Sequence, residues 1–145
     1  MNPTATPRRA VAIASVALLG MLGAACGDDT DDGSGATTTL SPEDIKVPLA
    51  DVVAGLPALE SGGAAAATAA AAGDFQAAID AYDALHERWE GIEGTLKDTD
   101  PDAYEAIETA QGLMRDGAEN ENAERVADGA ADQAAAIQAF IAANA

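Results

Sequence analysis

The chain has 145 residues, of which 25 are acidic and 7 basic, giving a formal charge of −18. That length holds one small domain, and that charge repels nucleic acid and anionic lipid, so neither is an expected partner. A single cysteine, Cys26, excludes an internal disulfide.

Arg8 and Arg9 form a basic start, followed by an apolar run from Ala10 to Ala25 rich in Ala, Val, Leu and Gly. The run is shorter than the roughly 20 residues of a membrane-spanning helix and reads as the core of a secretory signal over residues 1–25. It ends in Leu22-Gly23-Ala24-Ala25-Cys26, which resembles the lipobox of bacterial lipoproteins, with Gly23 where a branched aliphatic is preferred. The resemblance implies that Cys26 is acylated and becomes the first residue of the mature chain. That would place the protein on the outer face of the cell membrane, held by its lipid. An ordinary signal cleaved after Ala25, leaving a free thiol, is the other reading. Either cleavage removes two basic residues and no acid, leaving 5 basic against 25 acidic residues.

Residues 26–39 are small, polar and acidic. They cannot bury enough apolar surface to offset their ordering entropy and are expected to form a flexible tether. Asp28, Asp29, Asp31 and Asp32 lack the alternating ligands and closing Glu of a calcium loop.

The alanine-rich remainder, 40–145, is expected to be an all-α domain. Ser41-Pro42-Glu43-Asp44 reads as a helix start, with a cap residue, proline at the first helical position and acids in the first turn. Pro48, Gly55 and Pro57 predict one or two short helices after it, and Gly62-Gly63 a further break. Ala64 to Ala72, nearly pure alanine, is a strong helix former with little side chain to bury. Gly73-Asp74 supplies a stop and a cap.

From Phe75 to Leu96 the apolar residues Phe75, Ala78, Ile79, Tyr82, Leu85, Trp89, Ile92 and Leu96 recur at helical spacing. His86 and Glu93 fall within about 40° of Tyr82 on a helical wheel, so two ionisable groups sit in the apolar stripe. The segment AAGDFQAAIDAYDAL is similar to the second helix of a tetratricopeptide unit, but no second copy lies about 34 residues away and no repeat is assigned. Lys97 closes this helix and Asp100-Pro101 starts the next, with Ala103, Ile107, Ala110 and Met114 on its buried face. Gly117 to Asn122 is read as a loop. The last helix, from about Ala123 to Ala142, carries Val126, Ala130, Ala134, Ile137, Phe140 and Ile141 as its stripe. Four helices joined by short links predict an up-down-up-down bundle.

His86 and Glu90 are four residues apart, and Glu90 and Glu93 three, so each pair can meet on a helix surface. An antiparallel hairpin about Thr99 brings Glu90 level with Glu108, and Glu93 level with Tyr104 and Glu105. Carboxylates joined by one imidazole suit iron or another divalent or trivalent cation. The other reading makes these acids a solvated edge, with Glu93 bonded to the indole, a tyrosine hydroxyl or Arg115. The segments AYDALHERWEGIE and DPDAYEAIE, followed by an amphipathic helix, resemble the extracytoplasmic helical modules of bacterial iron permeases and iron-uptake lipoproteins. That resemblance implies iron transport as the setting, a permease as partner, and Glu90, Glu93, Glu108 and His86 as candidate metal contacts. The His-x-x-Glu site of imelysin-type proteins is missing, since Trp89 occupies its last position.

With one histidine and no glycine-rich phosphate loop after a strand, an enzyme is not expected. The expected function is a lipid-anchored module that captures cations. The alternative is a ligand-free envelope protein that docks a protein partner.

Overall fold

A computed structural model describes residues 41–144. The signal, Cys26 and the tether lie outside the described residues. Among the latter all regular structure is helical: one 3-10 turn, Pro42–Asp44, then α1 (Leu49–Ala71), α2 (Phe75–Glu90), α3 (Glu93–Thr99), α4 (Pro101–Glu119) and α5 (Ala123–Asn144).

Helices α1, α2, α4 and α5 form the up-down-up-down four-helix bundle, in which α1 packs on α2 and α5, and α4 on α5 and α2. The core draws Val52, Leu56 and Leu59 from α1, Tyr82, Leu85 and Trp89 from α2, Leu96 from α3, Ile107 and Met114 from α4, and Val126, Ile137 and Phe140 from α5. Two aspartates cap as the sequence predicts. Asp74 accepts from the Ala77 amide at 3.1 Å and Asp100 from the Ala103 amide at 3.0 Å, each satisfying an amide that has no partner within its helix.

The predicted breaks move. α1 runs unbroken through Gly55, Pro57, Gly62 and Gly63. Pro57 lies on the exposed side of the helix, where water can meet the carbonyl its missing N–H leaves unpaired. The two glycines are packing positions: a Cβ on Gly62 would stand 3.0 Å from that of Leu85, and one on Gly63 3.4 Å from Gln133 Nε2. Conversely, the predicted central helix ends at Glu90, and Gly91 and Ile92 separate it from α3. Ile92, with φ −127° and ψ −18°, leaves the helical path there, so α3 starts as a separate helix. The predicted loop from Gly117 shrinks because α4 continues to Glu119. Gly117 is buried where α4 meets the start of α5, its missing Cβ leaving room for the Val126 amide, which a Cβ would approach to 2.7 Å.

Ahead of α1 the chain is laid over α3. Val47 N–H donates to Thr95 Oγ1 at 2.8 Å, and Thr95 Oγ1 donates to Val47 O at 2.9 Å. Lys46 Nζ donates to Gly94 O at 2.6 Å and pairs with Asp98 at 2.9 Å, and Lys97 pairs with Glu43. Gly94 is what admits this strap, since a Cβ there would fall on the carbonyl oxygens of Glu43 and Ile45.

Candidate functional site

The break at Gly91-Ile92 and the strap meet beside Glu93, the first residue of α3. Glu93 is 6 % exposed, and among the described residues its carboxylate takes part in none of the side-chain hydrogen bonds or ion pairs that hold its neighbours. Burial pushes its pKa above the ordinary value of 4.5, and the nearby charges of Glu108, Glu43 and Glu90 push it the same way, against a smaller opposing pull from His86. The described side-chain polar atoms that are both enclosed and unpartnered are Gln111 Nε2 and Gln133 Oε1, so the Glu93 oxygens keep some contact with solvent, and its charged form is disfavoured rather than excluded.

The walls of this spot come from three elements. Trp89 is fully buried and its indole Nε1 donates to Glu108 Oε1 at 2.9 Å. Trp89 stacks on Tyr104 with centroids 5.7 Å apart and planes 23° apart, and Lys97 Nζ lies 4.9 Å from the Tyr104 ring centroid. Lys97 in turn holds Glu43 of the strap, and that bond raises the Lys97 pKa. Burial likewise raises the Tyr104 pKa, reinforced by Glu108, Glu93 and Glu43 in that order. Three carboxylates from α3, α4 and the strap thus act electrostatically on one phenol.

Of the residues singled out in the sequence, Glu93, Glu90 and Glu108 gather at this end of the bundle. Glu93 is buried, Glu90 half-buried and Glu108 exposed apart from its bond to the indole. The indole N–H therefore goes to Glu108 rather than to Glu93. His86 is half-buried, stacked on Tyr82 with centroids 5.6 Å apart, and its Nδ1 lies 3.1 Å from Gln111 Oε1. That contact ties the ring to α4. Glu105 is instead part of an open groove between α4 and α5, together with Asp102 and Asp132. Gln111, Glu43 and Gly94 were missed. Gln111 was legible, falling between Ile107 and Met114 at helical spacing, whereas the parts of Glu43 and Gly94 depend on how the strap crosses α3.

Carboxylate oxygens as the principal donors fit a hard cation such as ferric iron, manganese or calcium. Among the described residues, however, no three His, Cys, Asp or Glu side chains converge closely enough to hold a metal ion. Nor is any described helix long and apolar enough to cross a membrane. No family model, curated protein or solved structure matches this chain significantly.

Proposed function

We propose that this protein is a lipid-anchored, extracytoplasmic helical module that captures a hard cation at the Glu93 end of its bundle, for uptake or handling, with iron as the physiological candidate. The observation that supports this reading is Glu93 itself, 6 % exposed and near enough to Glu108, Glu43 and Glu90 for their charges to oppose its ionisation. A charge in that position is costly unless neutralised, and a cation bridging Glu93 and Glu108 neutralises both. Glu90 is the adjacent acid able to swing in, and His86 supports the site through the position of its ring. Acylated Cys26 would hold the domain at the membrane surface, within reach of a permease.

The alternative, a ligand-free envelope protein that docks a protein partner, draws support from the groove between α4 and α5. It has a volume of about 560 Å³, an alanine floor and an acidic rim.

Calorimetric titration of the chain from residue 26, carrying Cys26→Ser so that no thiol competes, tests the first reading with manganese, calcium, zinc and anaerobic ferrous ions. Saturable one-to-one binding, lost in Glu93→Gln with Glu108→Gln, is expected. Non-saturating heats that fade with added sodium chloride for every ion would overturn it and turn attention to the groove.

A further inference from the structure

Two glutamines lie in the core of the bundle, Gln111 of α4 at 2 % exposure and Gln133 of α5 at 0 %. Each engages one end of its amide. Gln111 Oε1 lies 3.1 Å from His86 Nδ1 of α2, and Gln133 Nε2 donates to Leu59 O of α1 at 2.9 Å. The other ends, Gln111 Nε2 and Gln133 Oε1, are enclosed and have no hydrogen-bond partner among the described residues. Turning the Gln133 amide round does not remedy this, because Leu59 O can only accept. An enclosed amide group left unbonded opposes folding, and buried polar groups in native proteins are bonded, by ordered water where no protein group reaches them.

The two unpartnered atoms belong to one layer of the bundle. Gly129, one turn before Gln133, lies so close to α4 that a Cβ on it would stand 2.6 Å from Ala110 O and 2.8 Å from Met114 N, backbone atoms on either side of Gln111. Gly63 of α1 is approached from both helices, since a Cβ there would stand 3.4 Å from Gln133 Nε2 and 3.5 Å from Met114 Sδ. The two atoms are also complementary, one a donor and the other an acceptor. We infer that Gln111 and Gln133 form a buried site for one water molecule, which accepts from Gln111 Nε2 and donates to Gln133 Oε1. That water completes a hydrogen-bonded chain through the core, from His86 through Gln111, the water and Gln133 to Leu59 O, and so joins α2, α4, α5 and α1. In an alanine-rich bundle, whose small side chains interlock weakly, a fully satisfied polar chain fixes which residues of the four helices stand level. The site does not depend on the cation-binding reading.

Magnetisation transfer from water to protein, recorded on the nitrogen-15-labelled chain from residue 26 with Cys26→Ser, tests the site directly. A water that outlasts molecular tumbling should give cross-peaks to the Gln111 side-chain amide protons, with laboratory-frame and rotating-frame effects of opposite sign. Gln133→Met, which keeps the length of the side chain and removes its amide, should abolish those cross-peaks. Denaturant unfolding of Gln111→Met, Gln133→Met and the double variant supplies a second readout. The loss in folding equilibrium constant of the double variant should fall short of the product of the two single losses by roughly ten-fold, within the range for residues that share one hydrogen-bonded network. Absence of the cross-peaks in the parent, their survival in Gln133→Met, or single losses that simply multiply would each overturn the shared water.

Discussion

A carboxyl group that is 6 % exposed with no donor beside it makes opposite contributions on the two sides of its titration. Native Glu93 keeps its proton to higher pH than it does in the unfolded chain, because burial and then Glu108 and Glu43 oppose its ionisation. The native state therefore binds more protons in that window, and the Glu93 contribution to stability, fully present below the ordinary value, is lost as pH rises through the raised one. Glutamine has the shape of the protonated acid. Measured with a chelator present, Glu93→Gln should raise Tm at neutral pH, and the gain should shrink to nothing once pH falls below 4.5, the ordinary value for the group. A Tm that drops in Glu93→Gln at neutral pH would show instead that the ionised carboxylate is stabilised by its surroundings. The same raised pKa makes any cation compete with a proton, so binding should weaken on acidification.

At the scale of the helix, small residues decide which faces meet. Gly129 of α5 is buried, and a Cβ there would stand 2.6 Å from Ala110 O and 2.8 Å from Met114 N. Gly112 of α4 is exposed and a Cβ there would meet nothing within 4 Å. Both are helical glycines, and alanine favours helix over glycine by about 0.5–1 kcal/mol. At Gly112 that preference acts alone, and Gly112→Ala should stabilise by about that amount. At Gly129 the added methyl meets backbone that cannot turn aside, and Gly129→Ala should destabilise by about 1–3 kcal/mol, with chemical denaturation as the measurement for both. The contrast also explains what was legible in the sequence. The aromatic and aliphatic stripe of α2 and the caps at Asp74 and Asp100 are marks of local periodicity and local hydrogen bonding, and the structure keeps them. In α5 the predicted Ala130 and Ala134 are only half-buried, while Gly129 and Gln133, one position earlier, are buried. Gln133 enters the core because its Nε2 donates to Leu59 O at 2.9 Å, and Gly129 because α4 comes so close. Neither cause belongs to α5 alone. The continuity of α1 across its glycines and the seat of the strap on Gly94 depend in the same way on a second segment, so residue type read along one helix misplaces them.

Across the whole molecule the acids outnumber their partners. Between residues 41 and 144 there are 5 basic and 21 acidic side chains. Four of the five basic residues form ion pairs, Lys46 with Asp98, Lys97 with Glu43, Arg115 with Glu119 and Arg125 with Asp116, and every one of these pairs is substantially exposed. Exposed pairs contribute on the order of 0–1 kcal/mol each and weaken with salt, whereas repulsion among the unpaired acids acts over the whole surface and is relieved by the same screening. The repulsive contribution is the larger, so raising sodium chloride from about 10 to about 500 mM, which shortens the screening length from about 30 Å to a few ångströms, should raise Tm. A Tm that falls with sodium chloride would mean that the four pairs outweigh the remaining acids. Screening and site binding are then separable in one experiment. Calcium or manganese chloride, compared with sodium chloride at equal ionic strength, should give an additional rise in Tm that saturates with concentration, as a ligand of the native state alone must. In Glu93→Gln the sodium chloride response should persist while the saturable part disappears. Persistence of the full divalent response in that variant would assign it to cations condensed on the acidic surface, and Glu93 would then be only a buried acid with a raised pKa.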